Sequence, residues 1–184
     1  MIIGITGTIG AGKGTVVDYL VSSKGFTHYS VRAFLLEEIE KRGLPPDRDS
    51  MRTVANELRQ AHAPSYIIEM LFARAQAAGH DALIESVRTI GEAEFLKNNR
   101  ALLLAIDADR KLRYERIIDR GDTTDHVDFD TWVMQEEREL ASTDPWDMNV
   151  LGVMHLSDAR IENDGSIEEL QRGVETALEV LATK

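Results

Sequence analysis

The chain contains no cysteine, which excludes disulfides and thiolate metal centres. That fits a reducing compartment, and a cytoplasmic location is the expectation. Long apolar runs are also lacking. No stretch reaches the ~18 residues that a membrane-spanning helix needs, so no membrane partner is expected. The opening MIIGITGTIG has no basic flank and reads as a first strand rather than a secretory leader. Positive charge is scarce. There are 21 Lys and Arg against 32 Asp and Glu, for a net charge of -11. Such a surface repels phosphate backbones, so nucleic acid is not an expected partner. A small anionic ligand would need a local cluster of positive charge.

What is present suits a soluble globular protein. The 184 residues, 43% apolar and 29% charged, are enough for one domain, 1–184, with a sizeable core. Ile2 to Thr6 is a β-branched run ending at glycines and reads as a buried strand. Further strands are expected at Phe26 to Tyr29, in DALIES, in ALLLAI and in DARIE. Helices are expected over Lys13–Ser23, Val31–Arg42, a segment capped by Ser50 and running to His62, and a segment opened by Pro64 and running to Ala78. Others follow at Asp109–Arg120, Asp130–Ala141 and Ile167–Leu181. Strands alternating with helices predict a parallel sheet wrapped on both faces.

The first strand leads straight into GTIGAGKGT. Gly7, Gly12 and Lys13 fit the phosphate-loop pattern G-x-x-x-x-G-K-S/T up to its last position, where this chain has Gly14. Glycines let a loop turn its amides inward as an anion nest, and the following helix adds the positive end of its dipole. Lys13 supplies a point charge for the outer phosphates. The spacing does not fit G-x-G-x-x-G, which argues against a dinucleotide loop.

The same loop resembles that of adenylate kinase and other nucleoside monophosphate kinases, where G-x-x-G-x-G-K-G-T recurs. The resemblance implies a three-layer α/β phosphate-loop fold with a five-stranded parallel sheet in the order 2-3-1-4-5. It implies ATP held by Gly7, Thr8, Gly10, Ala11, Gly12, Lys13, Gly14 and Thr15. Gly14 has no hydroxyl for Mg²⁺, so Thr15 and a remote carboxylate are the implied metal contacts. Glu85, at the end of the third strand, is that carboxylate. In LIESVR, Glu85 and Arg88 match the acid and the arginine of the family's Asp-Gly-Phe-Pro-Arg segment, though its proline is missing. The family's arginine there grips the acceptor phosphate. A plain surface ion pair between Glu85 and Arg88 is the alternative.

After the fourth strand, Arg110, Arg113, Arg116 and Arg120 lie along one helix face. Arg110 and Arg113 are expected on a solvated face, paired with Asp109, Glu115 and Asp119. Arg116 and Arg120 resemble the R-x-x-x-R pair at the start of the monophosphate-kinase lid, the first stacking on adenine and the second touching phosphate. Gly121 to Val127 would be the lid tip within a lid region 108–142, with Arg138 as a further contact. Region 30–80 corresponds to the acceptor side. Ser30 aligns with a small hydroxyl residue there. The family's next arginine is replaced by Leu35, with Arg32 nearby, and Arg48, Arg52 and Arg59 add charge. DARIENDGSIEEL resembles the last strand and helix of dephospho-CoA kinases, which makes Asn163 and Gly165 candidate adenine contacts. Asn163, Asp164 and Ser166 are all candidate caps for the last helix. The implied activity is phosphoryl transfer from ATP to a nucleoside or deoxynucleoside monophosphate, by a monomer or homodimer. Dephospho-CoA kinase and an ATP-hydrolysing assembly factor are the alternatives.

Overall fold

The computed structural model describes residues 1–120 and 128–183, apart from the side chains of Arg48 and Arg120. The strands are β1 (Ile2–Gly7), β2 (Thr27–Ser30), β3 (Ala82–Glu85), β4 (Leu102–Asp107) and β5 (Ala159–Glu162). They form a sheet in the order β2-β3-β1-β4-β5, and every neighbouring pair is parallel. The expected architecture is therefore found. The helices are α1 (Lys13–Lys24), α2 (Val31–Arg42), α3 (Arg48–Ala61), α4 (Tyr66–Ala78) and α5 (Ile90–Asn98), then α6 (Arg110–Arg120), α7 (Phe129–Leu140), α8 (Val150–His155) and α9 (Ile167–Leu181).

Strand side chains alternate between the two faces of the sheet, and both faces are apolar. Leu83, Leu104, Ile3, Ile5 and Ile106 pack with Val16, Leu20, Leu170 and Val174 of α1 and α9. Ile84 and Leu103 pack on the other face with Phe34, Ile39, Ile67, Leu71 and Leu96 of α2, α4 and α5. On that face Ala105 meets Leu140, Val150 and Met154 of α7 and α8. Leu83, Leu103 and Leu104 are fully buried, and each such side chain stabilises by roughly 1.5–3 kcal/mol.

The helix boundaries contain several corrections. Asp47, not Ser50, caps α3, accepting the Ser50 amide at 2.8 Å. Pro64 precedes α4, which starts at Tyr66 behind Ser65. Helices α5 and α8 were not expected. The start signal of α5 is present in the sequence: Thr89 and Glu92 form a reciprocal capping box. For α9 the cap is Ser166, in a capping box with Glu169, while Asp164 accepts the Asp109 amide. Ser166→Ala is therefore expected to cost about 1 kcal/mol and lower the melting temperature by about 2–4 °C. Thermal unfolding against native protein checks this, and an unchanged melting temperature would remove Ser166 from the cap.

Candidate active site

The carboxyl ends of β1, β3 and β4 meet where the connections diverge, β1 leading out to β2 and β3 crossing to β4 on the other side. Ligands in open α/β sheets bind at such a switch point. The loop between β1 and α1 sits there, and its hydrogen bonding is one-sided. The Gly7 and Thr8 carbonyls accept Lys13 Nζ at 2.9 and 2.6 Å. The Ile9 carbonyl accepts Arg113 Nη1 at 3.0 Å, and the Ala11 carbonyl accepts Asn163 Nδ2 at 2.9 Å. The Gly12 carbonyl accepts the Val16 amide. The amides of Gly10, Gly12, Lys13 and Gly14 have no acceptor among the described residues. Carbonyls tied down beside open amides constitute an anion nest at a helix start.

Two glycines are required by close approach. Gly10, at φ +79°, would place a Cβ 2.5 Å from the Arg113 carbonyl of α6, and a Cβ at Gly12, φ +92°, would run into Asn163 Nδ2. Gly14 differs, because no atom lies within 4 Å of where its Cβ would stand. Packing does not impose the glycine that replaces the usual hydroxyl residue. Thr8 Oγ1 donates to Asp107 Oδ1 at 2.5 Å, which fastens the loop to the end of β4.

Burial pushes the Lys13 ammonium down to about 7, and the neighbouring Arg88 adds to the shift, while Glu85 and Glu139 oppose it. The folded pKa lies below the unfolded value of 10.5. The unfolded chain thus binds more protons between those values, and stability rises with pH across that interval. An incoming phosphate favours the charged lysine and raises its pKa. Polyphosphate affinity should therefore be full below about pH 7 and fall as pH rises beyond it. At pH 8, above the second phosphate ionisation near ~6, binding is expected to take up close to one proton. Calorimetry in buffers of different ionisation enthalpy measures this, and zero uptake would contradict the assignment.

Glu85 is bonded to His28 Nε2 at 3.0 Å, and this bond, with Lys13 and Arg88 nearby, holds its carboxyl below the usual range. Arg88 is paired instead with Glu139 of α7, at 3.0 Å. The surface pair between Glu85 and Arg88 is not formed. Ser86 between them stands at φ +75°, a strained position for a non-glycine residue. The Thr15 hydroxyl is exposed at the start of α1. An ionised carboxylate and a hydroxyl are hard oxygen donors and suit a hydrated Mg²⁺. Among the described residues no group of three His, Asp or Glu forms a cage of its own, so phosphates would have to complete the coordination.

The other expected residues are distributed unevenly. Arg116 donates to the Asn163 carbonyl at 2.8 Å, joining α6 to the loop after β5. Asn163 itself is buried against the phosphate loop. Ser30 caps α2 through the Ala33 amide, and Arg32 is exposed. Arg52 pairs with Asp147 at 2.7 Å, beside a cavity of about 430 Å³ lined by Pro64, Gly91, Glu94 and Asp147. Arg59 is a correction. It is 3% exposed and paired with Glu92, which is fully buried, so it supports the core rather than an acceptor. Glu92 also accepts the amides of Arg88 and Thr89. Arg113 is a second correction. It is 4% exposed and bonded to Glu136 and to the loop, not solvated. The Arg120 side chain and Gly121 to Val127 lie outside the described residues. Sequence reasoning missed Asp107, Glu136, Glu139 and Asp147, for which the sequence held no periodic or motif signal.

With this geometry in hand, known proteins can be compared. A UPF0200 protein of Pyrobaculum aerophilum is 28% identical over 94% of each chain. The structure of TT1252 from Thermus thermophilus is similar, with a TM-score of 0.63, 21% identity, and 97% of this chain and 96% of that chain covered. Shikimate kinase from Acinetobacter baumannii, in complex with shikimate, superposes with a TM-score of 0.62 at 18% identity, covering 100% of this chain and 94% of that one. The fold is thus that of the phosphate-loop kinases. The model of the AAA_18 family, described as an AAA domain, matches residues 3–141, and the chain belongs to that family.

Proposed function

We propose that the protein transfers the terminal phosphoryl group of ATP to a nucleoside or deoxynucleoside monophosphate. The observation that carries the reading is the nest: open amides at Gly10, Gly12, Lys13 and Gly14, with Arg88 close enough to depress the Lys13 pKa. The nest and Lys13 hold the donor phosphates. Arg88, and Arg52 beyond it, receive the acceptor phosphate, which displaces Glu139 and Asp147 from them. Mg²⁺, when bound through Glu85 and Thr15, neutralises charge on the donor phosphates. Arg116 joins the adenine side through its bond to the loop carrying Asn163. An acceptor phosphate is already anionic, so positioning and charge suffice and no strong base is required.

A second reading has its own support. Arg52 and Arg88 are already matched by Asp147 and Glu139. A hydroxyl acceptor, as in dephospho-CoA, needs no free cation and uses a carboxylate as its base. One assay separates the two readings. ATP is incubated with each ribo- and deoxyribonucleoside monophosphate and with dephospho-CoA, and both ADP and phosphorylated product are scored. Product from a monophosphate supports the first reading, and product from dephospho-CoA alone supports the second. ATP hydrolysis without any phosphorylated acceptor overturns both in favour of an assembly factor.

A further inference from the structure

Arg113 lies under the phosphate loop. Its Nη1 donates to the Ile9 carbonyl at 3.0 Å and its Nε to the Ala108 carbonyl at 2.9 Å. The guanidinium is also paired with Glu136 of α7 and stacks 5.4 Å from the Trp132 ring. Arg113 is 4% and Glu136 2% exposed. A buried pair of this kind is weak evidence for stability, because desolvation offsets the attraction. Its position relative to the loop is more informative. The peptide joining Ile9 to Gly10 is trans and planar, so its C=O and N–H point in opposite directions. A guanidinium holding the Ile9 carbonyl inward therefore aims the Gly10 amide outward into the cleft.

We infer that Arg113 and Glu136 are positioning residues for ATP, through the orientation of the Gly10 amide. This rests on the reading that the loop binds the ATP phosphates. Arg113 belongs to α6 and Glu136 to α7, so two helices hold the loop through one guanidinium. A shift of α7 reaches the nest through Glu136, and nucleotide seated in the nest favours the α7 position that keeps the pair formed. Glu136 also faces Arg110 at 3.3 Å, which keeps its charge compensated when Arg113 moves.

The test uses full-length protein, ATP as the probe, calorimetry, and the Gly10 amide resonance in ¹H–¹⁵N spectra. Arg113→Met with Glu136→Leu replaces the pair by apolar groups of similar size. Stability should be retained, while ATP binds about tenfold more weakly, the loss of roughly one charge-assisted hydrogen bond. The native protein is expected to show a downfield shift of Gly10 on ATP addition, and in the double variant this shift should shrink or vanish. The KM for the acceptor should not change. Glu136→Gln keeps the side chain's size and is expected to weaken ATP binding by a few-fold, so the test survives if the double variant fails to fold. Arg113→Lys should recover part of the affinity, since one ammonium can reach Ile9 or Glu136 but not both. Native ATP affinity and a native Gly10 shift in the double variant, or in Glu136→Gln if the double does not fold, overturn the inference. If native protein itself binds no ATP, the phosphate-loop reading falls and takes the inference with it.

Discussion

Lys13→Ala is expected to reduce phosphoryl transfer by about 10³-fold without lowering the melting temperature of the domain. Removing one preorganised donor aimed at developing charge costs about 10²–10³-fold in comparable sites, and Lys13 brings a full positive charge. Its ammonium stands at the start of α1 and bonds two loop carbonyls, within reach of any phosphate in the nest. The stability half of the expectation follows from its pKa. Burial lowers Lys13 to about 7, so at neutral pH the fold disfavours the charge it holds there. Deleting that charge relieves a cost, and the two lost hydrogen bonds offset part of the gain. Turnover with the best acceptor and thermal unfolding at pH 7 are the measurements. Wild-type turnover in the variant would remove the loop from the chemistry. A collapsed melting temperature would instead make Lys13 a structural residue.

The phosphate loop was legible because everything it needs is contiguous. Strand, glycines, lysine and helix start lie within residues 2–24, and the geometry follows from local backbone preferences. The sheet was legible for a related reason: runs such as ALLLAI are apolar on both faces, as a strand buried on both sides must be. Sheet order was implied by the resemblance, not by the patterning of the strands. The arginines were a different case. Arg59 finds Glu92 33 residues away and Arg113 finds Glu136 23 residues away. Neither separation has a periodic signature, so a helical arginine looked solvated or ligand-bound when it was paired inside. The reading of scarce positive charge as a marker of the site was correspondingly incomplete. Arg52, Arg88 and Arg113 all gather near it, but each arrives with its own carboxylate. Helix α8 escaped because six residues are too few to display a period. Helix α5 escaped although Thr89 and Glu92 stand at capping-box spacing, because its nine residues make fewer than three turns and display little period.

Arg88→Ala is expected to impair use of the acceptor while leaving ATP binding intact. Its backbone is fixed from both sides, the amide donating to Glu92 and the carbonyl accepting from Asn149. The side chain is 24% exposed at the end of β3, so it can reach a ligand that displaces Glu139. Two hydrogen bonds to a charged phosphate, at about 1.5–3 kcal/mol each, amount to roughly 10²–10⁴-fold in kcat/KM for the acceptor. ATP should bind equally well or slightly better, because Arg88 disfavours the charged form of Lys13 and its removal relaxes that penalty. Glu139→Gln is the complementary variant. It releases Arg88 from its ion pair and should lower the acceptor KM several-fold, a benefit that must disappear when Arg88 is already alanine. Separate titrations of ATP and acceptor in the native protein, both single variants and the double variant provide the four corners of that cycle. Equal losses for both substrates would assign Arg88 to the transferring phosphate. A Glu139→Gln effect that persists without Arg88 would give the carboxylate a role of its own, as the base of a hydroxyl acceptor.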